Sequence, residues 1–253
     1  MIQPLDASQF DQIKGIFPKR YPNLSLVDAM LERKLPGEMW VDDVKKPKSC
    51  LLTTYAPYGF LAGQVTEKVF DEYYQILQKK PQVKLVVSPE MESEFKKNNK
   101  FKITPRYQLD QPNLAKIKAI NIEIPKPYKL QQINTPDLFE KCLWKNLMIS
   151  LYKNTENYLA NTYNFCLLDG EEVICEVHGM LNSRVMEPAI MTAEKYRGQG
   201  LAASICSHLI KHCADQGIQT IWSCDVANTG SIKTAEKIGL QKSLEYTFFT
   251  LGY

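Results

Sequence analysis

Between Glu187 and Leu240 the chain runs from a short apolar strand, Ala189-Ile190-Met191-Thr192, through the polar turn Ala193-Glu194-Lys195-Tyr196. It then enters Arg197-Gly198-Gln199-Gly200 and passes at once into a helical pattern from Leu201. This order constrains the fold more than any other feature. Two glycines separated by one residue at a helix start leave backbone N–H groups bare and let a bulky anion approach closely. Arg197 adds a charge-assisted donor for phosphate oxygens. The stretch reads as a pyrophosphate-binding turn in an α/β protein.

The rest of the chain suits a soluble globular protein of one large or two small domains. It has 253 residues, 44% of them apolar and 23% charged. A net charge of +3 gives no ground for a nucleic-acid partner and does not oppose a polyanionic cofactor. Seven cysteines, none in a C-x-x-C pair, read as buried reduced thiols and predict a cytoplasmic location. The start, Met1-Ile2-Gln3-Pro4-Leu5-Asp6, lacks the basic and apolar regions of a signal peptide. No apolar run reaches membrane-spanning length, so no membrane partner is expected.

Two halves are expected. Ile124-Pro125-Lys126-Pro127 reads as an extended linker, dividing the chain into domains 1–124 and 125–253. Strands are expected at Met39-Trp40-Val41, 49–55, 58–62, 83–87 and 103–109, with an amphipathic helix over 66–79. After the linker, Leu130 to Ile133 reads as a strand. Thr135 then caps a helix that has Pro136 at its first position and Leu138, Cys142, Trp144 and Leu147 on one face. Asp169-Gly170 marks a hairpin between 165–168 and 173–177. A helix from Leu201 to Asp215, a strand over 220–224, a helix from Asn228 to Gly239 and a last strand over 246–251 complete the pattern. The order of elements in the second half echoes the first. The first half has no counterpart of Arg197-Gly198-Gln199-Gly200; its nearest glycines, Gly59 and Gly63, lack a basic neighbour.

Three cofactor readings compete. Gly198-x-Gly200-x-x-Ala203 fits a dinucleotide fingerprint on paper, but Glu194 to Arg197 separate the glycines from the strand. A P-loop is excluded, since no Gly-Lys-Ser/Thr follows. The third reading is coenzyme A. Arg197, Gly200 and Ala202 match Arg/Gln-x-x-Gly-x-Gly/Ala. Downstream, Asn228, Ser231, Lys237, Gly239 and Leu240 match Asn-x-x-Ser followed by Lys-x-Gly and an apolar residue. With both signatures in order, the chain resembles the GNAT superfamily of N-acyltransferases. The phrase from Thr192 to Ala202, Trp222-Ser223-Cys224, Gly37 to Asp43 and Pro47-Lys48-Ser49 are similar to the subgroup of zwittermicin A self-resistance acetyltransferases. The resemblance is strongest over 163–240.

The resemblance implies an α/β (α+β) fold of two GNAT-like mixed-sheet halves, the first degenerate. In the second, a twisted sheet would splay to admit acetyl-CoA as co-substrate, with no metal. Pantetheine would lie along Ala189 to Thr192, with the pyrophosphate on the N–H groups of Gly198, Gln199, Gly200, Leu201 and Ala202. The expected cofactor-binding residues are therefore Ile190, Met191, Thr192, Arg197 to Ala202, Asn228 and Ser231. Direct attack by a free amine needs a base, and Glu187 on the same strand is the first candidate. Glu176 and His178 on the adjacent strand come second. A backbone amide near Ile190 or Met191 would stabilise the oxyanion. The family's usual tyrosine acid falls at Ala235, which leaves that role open, with Tyr246, Ser231 and Cys224 as substitutes. The expected activity is acetyl transfer from acetyl-CoA to a primary amine of a small acceptor. A non-catalytic acyl-CoA-binding protein of the same fold is the alternative, with a dinucleotide oxidoreductase behind it. His208 and His212 are spaced as zinc pairs are, but neither a glutamate between them nor a third ligand is evident.

Overall fold

A computed structural model describes residues 1–80, 82–111 and 122–251. Its chain forms two compact units. One comprises Met1–Arg106 with the chain from Leu244 onward, and the other Tyr107–Ser243. Both are mixed α/β, as expected.

The first unit contains β1 (Gln3–Pro4), a 3-10 helix (Ala7–Ile13), α1 (Leu24–Leu31), β2 (Gly37–Val41), β3 (Ser49–Thr54) and β4 (Tyr58–Gly63). These are followed by α2 (Glu67–Leu77), β5 (Lys84–Val87), α3 (Glu92–Phe95) and the start of β6 (Lys102–Asp110). Strands β1 to β4 pair antiparallel in sequence. The ladder between β4 and β5 is parallel and holds four pairs, Tyr58↔Lys84 to Leu61↔Val87. Helix α2 begins as its sequence predicts, with the Thr66 hydroxyl accepting from Val69 N.

The second unit continues with β7 (Lys129–Gln132), α4 (Pro136–Glu140), α5 (Lys145–Tyr152), α6 (Thr155–Asn161), β8 (Thr162–Asp169), β9 (Glu172–Leu181) and β10 (Val185–Thr192). Then come α7 (Leu201–Asp215), β11 (Gln219–Asp225), α8 (Thr229–Lys237) and the start of β12 (Gln241–Thr250). Strands β7 to β10 are antiparallel in sequence, and β11 joins β10 in parallel. Each unit thus holds a run of antiparallel strands ending in one parallel partner reached across a helix. Helix α7 buries Leu201, Ile205, Leu209 and Cys213 in a core shared with Val177, Met186 and Trp222. Among the described residues no helix is long and apolar enough to cross a membrane.

Two expectations meet a different arrangement. The units do not divide at 124/125. Phe249 and Leu251 pack in the aromatic core of the first unit, with Phe249 5.5 Å from Phe95 and 6.0 Å from Phe101 between ring centroids. Leu109, conversely, is buried in the core of the second. The helix expected from Thr135 to Leu147 is two helices, broken at residues 141–144. Thr135 caps the first as predicted, accepting from Leu138 N.

All seven cysteines are buried, and none forms a disulfide. Burial pushes the Cys175 thiol up to about 11, and those of Cys50 and Cys206 rise for the same reason. A raised thiol pKa leaves little of the reactive thiolate at neutral pH. Titration with a disulfide reagent at pH 8 is therefore expected to find no fast-reacting thiol in the folded protein and all seven after unfolding. Removing the Phe249 ring (F249A) is expected to cost about 3–5 kcal/mol, read as a lower urea midpoint.

Candidate active site

The site begins where β10 leaves β11. Among the described residues, the parallel ladder holds only Val185↔Gln219 and Met186↔Thr220. On its other side β10 stays paired with β9 through Thr192↔Cys175. Beyond Glu187 every residue of β10 is partly exposed, which is what an open strand edge requires. Pro188 lies two residues past the last β11 pair and has no N–H with which to extend that ladder.

At its end β10 turns through Ala193, whose N–H donates to Ile174 O at 2.9 Å, into a 3-10 turn over Glu194–Tyr196. Arg197 Nε donates to Thr192 O at 3.2 Å, tying the guanidinium to the end of the strand. Gly198 and Gly200 both adopt left-handed φ, +81° and +78°, where a side chain is strained. A Cβ on Gly198 would meet nothing within 4 Å, so the space beside it is open. Gly200 is the N-cap of α7, without a side-chain cap and with no acidic residue in the first turn. The first N–H groups of this helix are therefore left for an external acceptor. A Cβ on Gly200 would lie 3.8 Å from Lys237 Nζ, which brings an ammonium beside the same turn.

Beside this turn lies a cleft of about 470 Å³. It is bounded by Ile190, Met191 and Thr192 of β10, by Arg197 and Ala202, by Asn228 and Ser231, and also by Trp144, Trp222, Gly230 and Thr234. Seven of the expected cofactor residues meet here. Of the other four, Gly198 and Gly200 form the turn, while Gln199 accepts from Tyr128 Oη at 3.0 Å. The Leu201 side chain is in the core, 1% exposed, leaving only its backbone to the site. Asn228 caps α8 as its spacing predicts, accepting from Ser231 N at 3.0 Å. The Ser231 hydroxyl accepts from Trp222 Nε1 at 2.9 Å and so fixes that indole in the wall.

The candidate catalytic groups separate. Glu187 is buried, 5% exposed, one residue past the last β10–β11 pair. Glu176 is also buried, and its carboxylate is engaged: Leu143 N and Trp144 N each donate to it at 2.7 Å, and His178 Nε2 lies 3.0 Å from Oε1. That leaves it poorly suited to be a free base. Tyr246 belongs to the first unit, where its hydroxyl accepts from Arg106 Nε at 3.4 Å. It is not a lining residue of the cleft. Ala235 is fully buried, so its position offers no acid. Cys224 is buried in the core of the second unit. His208 and His212 pack edge-on against Phe165 and Tyr163, at 4.8 Å and 4.9 Å. Among the described residues no group of three or more His, Cys, Asp or Glu is placed to hold a metal ion. Sequence reasoning did not assign Trp144, Trp222, Gly230 or Thr234 to the site; Trp222 entered only through the subgroup resemblance, and the other three carry no local signal.

The profile described as GNAT acetyltransferase matches residues 17–249. The chain belongs to the GNAT acetyltransferase family. An uncharacterised N-acetyltransferase of Bacillus subtilis, YdfB, is 26% identical over 260 residues, covering 100% of this chain and 99% of that protein. A GCN5-related N-acetyltransferase-like protein from Streptococcus suis superposes with a TM-score of 0.76 at 25% identity, covering 96% and 98% of the two chains. A tandem GNAT protein from the clavulanic acid biosynthesis pathway shares the fold at a TM-score of 0.65 and 11% identity, covering 99% and 97%. As a GNAT acetyltransferase the chain is an enzyme that transfers an acyl group.

Were Gly198 replaced by alanine, the cost would be in the backbone, since nothing crowds the position. We expect about 1–2 kcal/mol in a denaturant titration, without a change in secondary structure by circular dichroism.

Proposed function

We propose that the cleft binds acetyl-CoA and that the enzyme moves its acetyl group to the primary amine of a small acceptor by direct attack. The observation that carries this reading is the convergence on one cleft of a strand with an open edge, an uncapped helix N-terminus and the Arg197 side chain, with Lys237 beside the glycine turn. Acetyl-CoA supplies an activated acyl thioester. The N–H groups at the start of α7, with Arg197 and Lys237, suit a pyrophosphate by dipole and charge. Lys237 also stands in the last turn of α8, where a cation is favoured in its own right. The freed edge of β10 suits an extended pantetheine, which would add to it as a strand does. Ser231, Asn228 and the Trp222 indole form a rim beside it.

An ammonium cannot attack a carbonyl carbon, so a proton must leave the acceptor first. Glu187 is the proposed base, acting through water, because it lies on β10 where the two strands part. The departing thiolate is a tolerable leaving group, which fits a site whose position 235 is a buried alanine. Resemblance to the zwittermicin A self-resistance enzymes supports a small amine as acceptor, and seven buried cysteines without a disulfide suit the cytoplasm as the place of action.

Calorimetry on the purified chain is expected to show acetyl-CoA binding. Arg197→Ala combined with Gly200→Asp should weaken it by about 100-fold or more, since a charge-assisted donor is lost and a carboxylate is placed against the phosphates. Unchanged affinity in that variant would overturn the reading. Glu187→Gln should lower kcat by about 10²- to 10⁴-fold in a thiol-release assay over a panel of amines, with acetyl-CoA affinity kept. A kcat equal to that of the parent across neutral pH would remove Glu187 from the role.

A further inference from the structure

The most unusual buried group in the second unit is one the proposed chemistry does not use. Glu176 is fully buried on β9. Its two oxygens take the main-chain N–H groups of consecutive residues, Oε2 from Leu143 and Oε1 from Trp144, both at 2.7 Å. His178, equally buried, sets Nε2 3.0 Å from Oε1, and its Nδ1 lies 2.5 Å from the Tyr158 hydroxyl. A carboxylate that accepts two main-chain N–H groups also takes the His178 Nε2–H, while Nδ1 shares a hydrogen bond with the Tyr158 hydroxyl. The chain Tyr158–His178–Glu176 is then complete, and its free end grips the loop at 143–144.

The two gripped residues lie at the surface end of that loop. Leu143 is 44% exposed, and Trp144 stands at the N-cap of α5 without a side-chain cap. Yet Trp144 is a wall of the cleft, and so is Met191. Met191 is the residue that pairs with Glu176 across β9 and β10. One carboxylate therefore links two walls of the cleft, through a strand ladder on one side and two hydrogen bonds on the other. We infer that Glu176 is a positioning residue that holds Trp144 against the cleft and sets its width at Met191. The inference rests on the reading of the cleft as the acetyl-CoA site.

Glu176→Gln tests it with little change of volume. In either amide orientation an NH₂ group faces a backbone N–H, at Leu143 or at Trp144, so one bond of the grip is lost. The full chain labelled with 5-fluorotryptophan gives one ¹⁹F resonance for each of its three tryptophans. The expected result is a Trp144 resonance that shifts or broadens in the folded, ligand-free variant, while that of Trp40 stays. Acetyl-CoA affinity should fall about tenfold. A Trp144 resonance unmoved in folded Glu176→Gln would overturn the inference. Should that variant not fold, amide exchange of the unaltered protein decides. The 143 and 144 amides are expected to exchange at least about 100-fold slower than unstructured amides despite the exposure of Leu143, and exchange within tenfold of the unstructured rate overturns the grip. Both measurements need no ligand. If they succeed while calorimetry finds no acetyl-CoA binding, the reading of the cleft fails and the proposed purpose of the grip fails with it.

Discussion

The ladder between β10 and β11 ends after Met186↔Thr220, and the open edge of β10 that lines the cleft begins there. A strand edge freed from its neighbour must satisfy its N–H and C=O groups elsewhere. The first unit shows the alternative from a matching order of elements. There β4 and β5 stay paired over four positions, and the corner is closed. A Cβ on Gly63, at the end of β4, would come within 2.1 Å of Lys48 O, so the backbone is packed where Gly198 has open space. Helix α2 carries its own Thr66 cap and has Glu67 in its first turn. Helix α7 has neither. One helix N-terminus is satisfied by its own residues and the other carries no side-chain cap.

Much of this was legible because its causes are local. The Asp169-Gly170 hairpin, the Thr135 and Asn228 caps and the left-handed glycines at 198 and 200 are each set by a few adjacent residues. The domain boundary was not legible, because it depends on where Phe249 and Leu109 are buried rather than on the prolines near 125. Nor was Trp144, which reaches the cleft from more than forty residues before β10.

The break at 141–144 shows the competition most clearly. The spacing of Leu138, Cys142, Trp144 and Leu147 suits one helix face. In an unbroken helix Leu143 N would bond to Phe139 O and Trp144 N to Glu140 O, by the i to i−4 rule. Glu176 accepts both of those N–H groups instead. A charge-assisted bond is stronger than a neutral one, and a fully buried carboxylate cannot be left without donors. A long-range demand thus overrides a local preference, and no window of sequence around residue 142 contains the residue that makes it.

The same accounting bears on what Glu176 contributes. Burying a carboxylate costs several kcal/mol, which good hydrogen bonds roughly offset, so such groups add little net stability. For Glu176 the offsetting partners are two short backbone bonds and a histidine. Its consequence is geometric. An apolar side chain of similar size would fill the volume but would release the 143–144 amides to resume a helical path. Trp144 would then be placed by its own helix rather than by the strand next to β10. The wall of the cleft is built by breaking a helix, and the carboxylate that breaks it lies directly across the ladder from Met191.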